Sequence, residues 1–241
     1  MHKTKDSQIT KDYKEMVNRF SETLSAEFEE YFKIKDNCRK ELLIYLFDAL
    51  NEIEVPKNSR ILDIGCGTGV PTLALAYRYH GKIKAIDINI NSLSYFKKKI
   101  RNSGYDNRIE LVNTSLFELP TDETYDLVLA EGVLNVVGFE KGLRALVKVG
   151  RKEGFIIIHD EKKSLHEKAM LFEQNNCKII DSIFLSEEIW WNNYYKHLKK
   201  QYSQIKDTVL LKLFKPDINE IHAFKKNPLL FQSVYYVLKI Q

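Results

Sequence analysis

The chain has 241 residues, of which 44% are hydrophobic and 29% are charged, a composition that excludes a disordered or fibrous protein and fits one sizeable folded domain. Its 37 Lys and Arg residues against 33 Asp and Glu residues give a net charge of +4, which does not argue for a nucleic-acid partner. The three cysteines form no C-x-x-C pair, so we expect neither a disulfide framework nor a metal site. The polar amino terminus and the lack of a run of about 18 apolar residues favour a cytoplasmic protein without a membrane span.

The first part of the chain predicts a helical arm. Apolar residues recur every three or four positions over Tyr13–Phe32 and again over Asn37–Ile53. Pro56 then interrupts the helical pattern. We therefore expect residues 1–54 to form a helical arm that precedes an α/β core.

The most informative stretch of the chain is Ile61–Gly69, with the sequence Ile-Leu-Asp-Ile-Gly-Cys-Gly-Thr-Gly. A short buried strand is predicted to run into Gly65, Gly67 and Gly69, and a helix is predicted over Val70–Tyr79. Glycines let the backbone approach a ligand closely, and the start of a helix presents free N–H groups. The G-x-G-x-G spacing differs from the G-x-G-x-x-G of dinucleotide enzymes. The stretch therefore predicts an anion- and cofactor-binding corner.

The run Asp63-Ile-Gly-Cys-Gly-Thr-Gly69 resembles the first motif of class I S-adenosylmethionine (SAM) methyltransferases, including the acidic residue two positions before the first glycine. The resemblance covers the chain from about residue 55 onward. It implies a Rossmann-like α/β fold with a seven-stranded mixed sheet in the order 3-2-1-4-5-7-6. It also implies SAM as the cofactor and S-adenosylhomocysteine (SAH) as the product. In this family an N-terminal arm commonly folds over the cofactor site; the alternative for residues 1–54 is a helical prop at the edge of the sheet, and both can hold.

Asp87 ends the second predicted strand. A carboxylate at this place can accept two hydrogen bonds from the cis-diol of a ribose, an arrangement that dinucleotide and SAM folds share. Alternatively, Asp87 caps the helix that begins near Asn91. We expect ribose binding because the glycine loop precedes it.

The segment after the third predicted strand, Arg108–Asn113, resembles the family segment that surrounds the adenine ring. Ser115 stands where the family often has an Asp, and Leu116 and Phe117 are possible walls for the ring. A loop with one buried Phe is the alternative interpretation.

Two more strand ends carry polar residues. The strand that begins at Tyr125 leads to Glu131, and the strand Phe155–Ile158 leads to His159 and Asp160. Ligands in open α/β sheets gather at the carboxyl ends of the strands. We therefore expect Glu131, His159 and Asp160 to meet in one crevice.

The last part of the chain predicts a turn over Arg151–Gly154, a sixth strand over Cys177–Leu185 and a seventh over Gln232–Ile240. The connection between the last two strands is longer than a hairpin needs and has a helical pattern. The chain is thus predicted to be a single methyltransferase domain over 1–241, with a Rossmann-like core over 55–185 and 231–241 and a helical insertion or lid over 186–230.

Four aromatic residues stand out in the insertion. On a helix, Trp190 and Tyr194 share one face, and Trp191 and Tyr195 share another. One face can pack on the sheet, while the other can line a pocket for a flat ring or a quaternary cation. We expect Trp190 and Tyr194, together with Asp160, to contact the acceptor.

Methyl transfer from a sulfonium requires that two reactants be held in line and, for a protonated acceptor, that a base remove a proton. The stretches Ala130–Gly132 and Gly138–Leu143 resemble those of small-molecule methyltransferases, and the Asn/Asp-Pro-Pro motif of base-methylating enzymes is missing. We predict transfer to a small-molecule acceptor, with His159 and Glu131 as catalytic residues; a structural histidine at a strand end is the alternative for His159. The predicted cofactor contacts are Asp63, Gly65, Cys66, Gly67, Gly69, Asp87, Ile88, Ser115, Leu116 and Glu131.

Three other functions remain open at the level of sequence. An RNA or protein methyltransferase would present a basic surface beside the crevice and bind its polymer in a salt-dependent way. A non-catalytic SAM-binding module would bind the cofactor without turnover. An NAD-dependent oxidoreductase is disfavoured by the glycine spacing.

Overall fold

A single mixed sheet organises the chain in the computed structural model, which describes residues 24–120 and 122–241. The strands lie in the order 3-2-1-4-5-7-6, which confirms the predicted topology. The first five strands run parallel, and the seventh lies antiparallel between the fifth and the sixth. The strand bounds are Ile61–Ile64 (β1), Ile83–Asp87 (β2), Ile109–Asn113 (β3), Tyr125–Glu131 (β4), Gly150–Glu161 (β5), Cys177–Leu185 (β6) and Ser233–Ile240 (β7).

The strand β1 is buried over its whole length, as expected for a central strand covered on both faces. Its side chains alternate between the two faces of the sheet. Ile61 packs in one apolar cluster, while Leu62 and Ile64 pack in the other. Asp63 therefore lies on the same face as Ile61.

The strand β5 begins earlier than predicted. The turn expected over Arg151–Gly154 is wrong, because these residues lie inside the strand. Glu153 has a φ of 61°, and the register with β4 shifts between Tyr125 and Leu127. An irregularity within a strand and a turn between strands both contain polar residues and glycine, so the sequence pattern does not distinguish one from the other.

The arm contains two helices, Ala26–Arg39 (α1) and Leu43–Asn51 (α2), joined by one turn of 3₁₀ helix. Ser25 caps α1 by accepting a hydrogen bond from the Phe28 N–H at 3.4 Å. The break predicted between Phe32 and Asn37 is wrong, because α1 continues through both residues. The earlier part of the first predicted helix, from Tyr13, lies outside the described residues.

The remaining helices flank the sheet or form the insertion. None of the helices in the described part of the chain is long and apolar enough to cross a membrane. They are Val70–Arg78 (α3), Ile90–Ser103 (α4), Leu134–Val137 (α5), Phe139–Val149 (α6), Leu165–Gln174 (α7), Glu187–Trp190 (α8), Lys196–Tyr202 (α9), Thr208–Leu213 (α10) and Lys215–Lys226 (α11), with a π-helical turn over Trp191–Tyr195 between α8 and α9.

Two apolar clusters cover the two faces of the sheet. One packs the arm, α3, α4 and the insertion on the first face, and includes Leu46, Phe96 and Phe214. The other packs α5, α6 and α7 on the opposite face, and includes Phe172. The arm and the insertion therefore lie on the face that carries Asp63.

Candidate functional site

The glycine loop between β1 and α3 has three residues with left-handed backbone conformation. Gly65, Gly67 and Gly69 have φ values of 67°, 52° and 81°, which disfavour a side chain. A Cβ on Gly65 or Gly69 would collide with Val133 or Phe96, so these two glycines let the loop pack tightly. A Cβ on Gly67 would meet nothing within 4 Å. Gly67 thus presents bare backbone to an open cleft.

Asp87 holds the loop from the end of β2. Its Oδ2 accepts a hydrogen bond from the Gly67 N–H at 2.7 Å, and its Oδ1 accepts one from the Asn89 N–H at 2.7 Å. Each carboxylate oxygen has a further lone pair for a ligand. Asn89 caps α4, so the capping role considered for Asp87 belongs to its neighbour.

A cavity of about 240 Å³ opens beside Asp87, and we call it the apolar cavity. Ile88, Ser115 and Leu116 line it, and Ile88 is 77% exposed there. The Ser115 hydroxyl accepts a hydrogen bond from the Phe117 N–H at 3.3 Å and caps a 3₁₀ turn. The apolar walls and the neighbouring carboxylate suit a flat ring attached to a sugar.

A second cavity of about 310 Å³ lies on the other side of the glycine loop, and we call it the polar cavity. It shares Gly65 and Gly132 with the apolar cavity, so the two cavities adjoin, and together we call them the cleft. Gly132 has a φ of 65°, and a Cβ there would meet nothing within 4 Å. Backbone without a neighbouring side chain therefore lines the cleft at two places, Gly67 and Gly132.

Asp63 lies at the buried wall of the polar cavity, where its carboxylate accepts a hydrogen bond from the Thr72 hydroxyl. Burial raises the pKa of Asp63 to about 8; the Thr72 hydrogen bond opposes this rise, and the carboxylates of Glu131 and Asp87 add to it. A cationic ligand group beside Asp63 would favour its ionised form.

Glu131, at the end of β4, is held by two donors. The Arg39 guanidinium from α1 approaches one carboxylate oxygen at 2.5 Å, and the Tyr235 hydroxyl donates to the other at 2.7 Å. Each Glu131 oxygen thus accepts one hydrogen bond, and Glu131 anchors Arg39 beside the cleft.

Further contacts fasten α1 over the glycine loop. The Thr68 hydroxyl donates to Asp36, and the Lys99 ammonium bonds both to Asp36 and to the Thr68 carbonyl oxygen. Lys35 forms an ion pair with Asp217 of the insertion at 2.7 Å. The arm thus contacts both the loop and the insertion.

His159 lies behind Glu131 and lines neither cavity. Its imidazole stacks on Tyr235 with ring centroids 4.0 Å apart, and its Nε2 lies 2.8 Å from the Ser233 Oγ. Burial lowers the pKa of His159 to about 4, with the Glu131 carboxylate opposing this shift and the Arg39 guanidinium adding to it. This geometry fits the structural alternative considered for His159 better than the role of a base.

Asp160 faces the opposite side of the sheet from Glu131. Its carboxylate forms a buried ion pair with Lys168 of α7 at 2.9 Å. The prediction that Asp160 meets Glu131 in one crevice and contacts the acceptor is wrong. Glu131 pairs with His159 of the neighbouring strand, and Asp160, the next residue of that strand, points to the opposite face of the sheet.

The aromatic residues of the insertion divide as the helical spacing predicted. Tyr194 lines the polar cavity, and Trp190 contacts it edge-on with ring centroids 5.9 Å apart. The Trp190 indole N–H donates to the Ser233 hydroxyl at 2.9 Å, so Trp190 supports Tyr194 and lines neither cavity. Trp191 stacks on Phe224, away from the cleft.

Residues 56–202 match a family model described as a methyltransferase domain. The chain belongs to this methyltransferase-domain family. Among curated relatives, the demethylmenaquinone methyltransferase of Bacillus pumilus (strain SAFR-032) is 27% identical over 162 residues, which cover 65% of this chain and 64% of that protein. The chain thus spans slightly less than two thirds of the length of this relative.

Solved structures share the fold. The [4+2]-cyclase SpnF superposes with a TM-score of 0.70 at 16% identity, over 83% of this chain and 80% of that chain. A SAM-dependent methyltransferase from Geobacter sulfurreducens, in complex with SAH, superposes with a TM-score of 0.65 at 14% identity, over 83% of this chain and 90% of that chain. One neighbour is named a cyclase, so this fold alone does not decide the reaction.

Nine of the ten residues predicted to contact the cofactor line the cleft, and the exception is Gly69. Sequence reasoning missed Lys35, Arg39 and Tyr235. Lys35 and Arg39 are four residues apart and share one face of a helix, but no pattern shows which face meets the cleft. Within the described ranges, no three His, Cys, Asp or Glu side chains are placed to hold a metal ion.

Proposed function

We propose that this chain is a SAM-dependent methyltransferase that acts on a small-molecule acceptor. The observation that carries the proposal is the cleft at the carboxyl ends of β1 and β4, formed by two cavities that share Gly65 and Gly132. One end of the cleft is apolar, Asp87 stands beside it, and the other end is polar and charged. SAM has the same succession of parts: a flat adenine, a ribose and a charged amino-acid end.

The residues present fit this cofactor. Leu116 and Ile88 would flank the adenine, Asp87 would accept hydrogen bonds from the ribose hydroxyls, and Asp63 would pair with the ammonium group. The open backbone at Gly67 would let the ligand approach closely. When bound, SAM supplies a methyl group on a sulfonium, which a nucleophile can take as a neutral thioether leaves.

The chain's own contribution is to position the reactants and exclude water. The arm and the insertion cover the polar cavity through Arg39 and Tyr194. The carboxylates that line this cavity already accept hydrogen bonds: Glu131 from two donors and Asp63 from Thr72. We therefore propose methyl transfer without a protein base, and a positioning role for His159 through its stacking on Tyr235.

An acceptor screen tests this function. Purified protein is incubated with SAM and pooled phenols, quinols, amines and carboxylic acids, including a demethylmenaquinone analogue, and SAH release is measured. We expect release above the acceptor-free background with at least one pool. Asp87→Asn should abolish it, and the exposed control Asp106→Asn should not.

Two outcomes contradict the proposal. Binding of SAH without turnover in any pool favours a non-catalytic SAM-binding module. Turnover confined to added RNA or protein favours a polymer-modifying enzyme.

A further inference from the structure

Two cationic side chains that line the polar cavity are partly exposed, whereas the carboxylates with which they pair are buried. The Lys35 side chain is 33% exposed and its partner Asp217 is 3% exposed. The Arg39 side chain is 31% exposed and its partner Glu131 is 6% exposed. Lys35 and Arg39 are four residues apart on α1, so both project from one face of the helix toward the cavity.

Both cations keep unused hydrogen-bond donors. The Lys35 ammonium has three donors and bonds to Asp217 and to the Tyr31 hydroxyl. The Arg39 guanidinium has five donors, and its bond within the described residues is to Glu131. Each group can therefore bind an anion without breaking its ion pair.

The other carboxylates that line the cavity do not cancel this charge for a ligand. Asp36 is 7% exposed and is paired with Lys99. Asp63 is buried and hydrogen-bonded to Thr72. A ligand in the cavity thus meets mainly the donors of Lys35 and Arg39.

The two cations lie on the same helix but are anchored by different parts of the fold. Arg39 is held by Glu131 at the end of a core strand, beside the shared backbone at Gly132. Lys35 is held by Asp217 of the insertion, and Tyr194, which also comes from the insertion, lines the same cavity. We therefore assign Arg39, which is anchored to a core strand, to the cofactor end of the cavity, and Lys35 and Tyr194, which lie beside the insertion, to the space beyond the cofactor.

We propose that Lys35 and Tyr194 form the acceptor subsite and select a small molecule that carries a negative charge, a carboxylate or an acidic hydroxyl that is ionised at neutral pH. This inference rests on the proposed function, since it assumes that the remainder of the cleft holds SAM. Lys35 binds the anion through its free N–H donor, and Tyr194 donates its hydroxyl, which has no hydrogen-bond partner among the described residues. Lys35 is therefore a specificity-determining residue.

Paired probes test the subsite. Protein saturated with SAH is titrated with benzoate, phenylacetate and butyrate, each compared with its uncharged amide, and binding is read by saturation-transfer NMR. We expect each acid to bind about tenfold more tightly than its amide, the effect of one charge-assisted hydrogen bond. Lys35→Met should remove this preference, while Lys35→Arg should keep it.

Two controls separate binding from folding. Lys33→Met removes an exposed lysine of the same helix, outside the polar cavity, and should change nothing. Because Lys35→Met leaves Asp217 buried and unpaired, the double variant Lys35→Met with Asp217→Asn removes both charges together. It should fold and should show no preference for acids.

The outcomes also separate this inference from the proposed function. If wild-type protein does not bind SAH in calorimetry, the proposed function fails. If it binds SAH but acids and amides bind equally, or no acid binds, or the acids keep their preference in Lys35→Met, the acceptor subsite is wrong and the proposed function stands. A loss of SAH affinity in Lys35→Met as large as the loss of acid affinity would assign Lys35 to the cofactor and would also overturn the inference.

Discussion

Gly67 and Gly69 belong to one motif but meet different demands. Both have left-handed backbone conformation, yet a Cβ on Gly69 would lie 2.1 Å from the Phe96 ring and a Cβ on Gly67 would lie in the open cleft. Gly69 is thus required by the packing of α3 on α4, and we propose that Gly67 is required by the ligand. A motif read from sequence shows that glycines are needed and does not show for which reason.

Alanine at each position should separate the two demands. Gly69→Ala should lower the free energy of unfolding by about 3 kcal/mol or more, because the ring must move. Gly67→Ala should cost about 1–2 kcal/mol for its backbone conformation and weaken SAH binding at least about tenfold. Urea unfolding and calorimetry measure both effects.

Gly104 provides the matched control. It has a φ of 73° and open space at its Cβ, but it ends α4 away from the cleft. Gly104→Ala should lose about as much stability as Gly67→Ala and keep full SAH affinity. Equal loss of SAH affinity in both variants would show that Gly67 acts only through stability.

The buried Asp63 carboxyl lowers the stability of the folded protein when it is ionised. Its folded pKa of about 8 lies above the ordinary value of 3.8, so the folded protein keeps the proton that the unfolded chain releases as pH rises. Below about pH 4 the carboxyl is protonated in both states and carries no penalty. Between pH 4 and pH 8 the penalty grows, and above pH 8 it is complete.

Asp63→Asn should therefore be more stable than wild type at pH 8.5, by about 1–3 kcal/mol, and equally stable at pH 4. The amide can still accept the Thr72 hydrogen bond. The same variant should bind SAH at least about tenfold more weakly, since an ammonium group loses its anionic partner. A variant that is less stable than wild type by the same amount at both pH values would contradict this account.

Among the elements, α1 connects the additions to the core. Its residues reach Glu131, Lys99 and Asp217, which come from β4, α4 and α11. Partners as far apart in sequence as Arg39 and Glu131, separated by 92 positions, carry no local pattern. Most of the strands were predictable because their centres are short apolar runs that end at glycine or polar residues. The ion pairs of α1 depend instead on how the arm packs against the core.

Hydrogen exchange tests the role of α1. SAH should slow amide exchange in Ala26–Arg39, because Asp36 and Arg39 line the same cavity as the glycine loop. The helix α7 lies on the opposite face of the sheet and should exchange at an unchanged rate. Protection that appears in the glycine loop but not in α1 would show that the arm takes no part in the site.

At the scale of the whole molecule, the arm, the core and the insertion share one apolar cluster, to which Leu46, Phe96 and Leu198 belong. The strand order could be predicted because the glycine motif resembles that of class I methyltransferases, and the observed order is the one that this resemblance implies. The side of the sheet that each polar residue faces is a matter of register: His159 and Asp160 are neighbours in sequence and lie on opposite faces. A one-residue difference therefore placed His159 beside Glu131 and Asp160 on the opposite face, against Lys168.

The shared cluster predicts one cooperative unfolding transition. The two tryptophans of the chain, Trp190 and Trp191, both lie in the insertion, so their fluorescence reports that part alone. Circular dichroism reports the helices and strands of the whole chain. The two signals should give the same urea midpoint, and a fluorescence transition at lower urea would show that the insertion unfolds independently.

The central claim is that the cleft beside Asp87 binds SAM. Calorimetry of the purified chain against SAH, with NAD as the control ligand, tests it most directly. We predict micromolar binding of SAH, no binding of NAD, and loss of SAH binding in Asp87→Asn. Folded protein that binds NAD, or that binds neither ligand, would contradict the account.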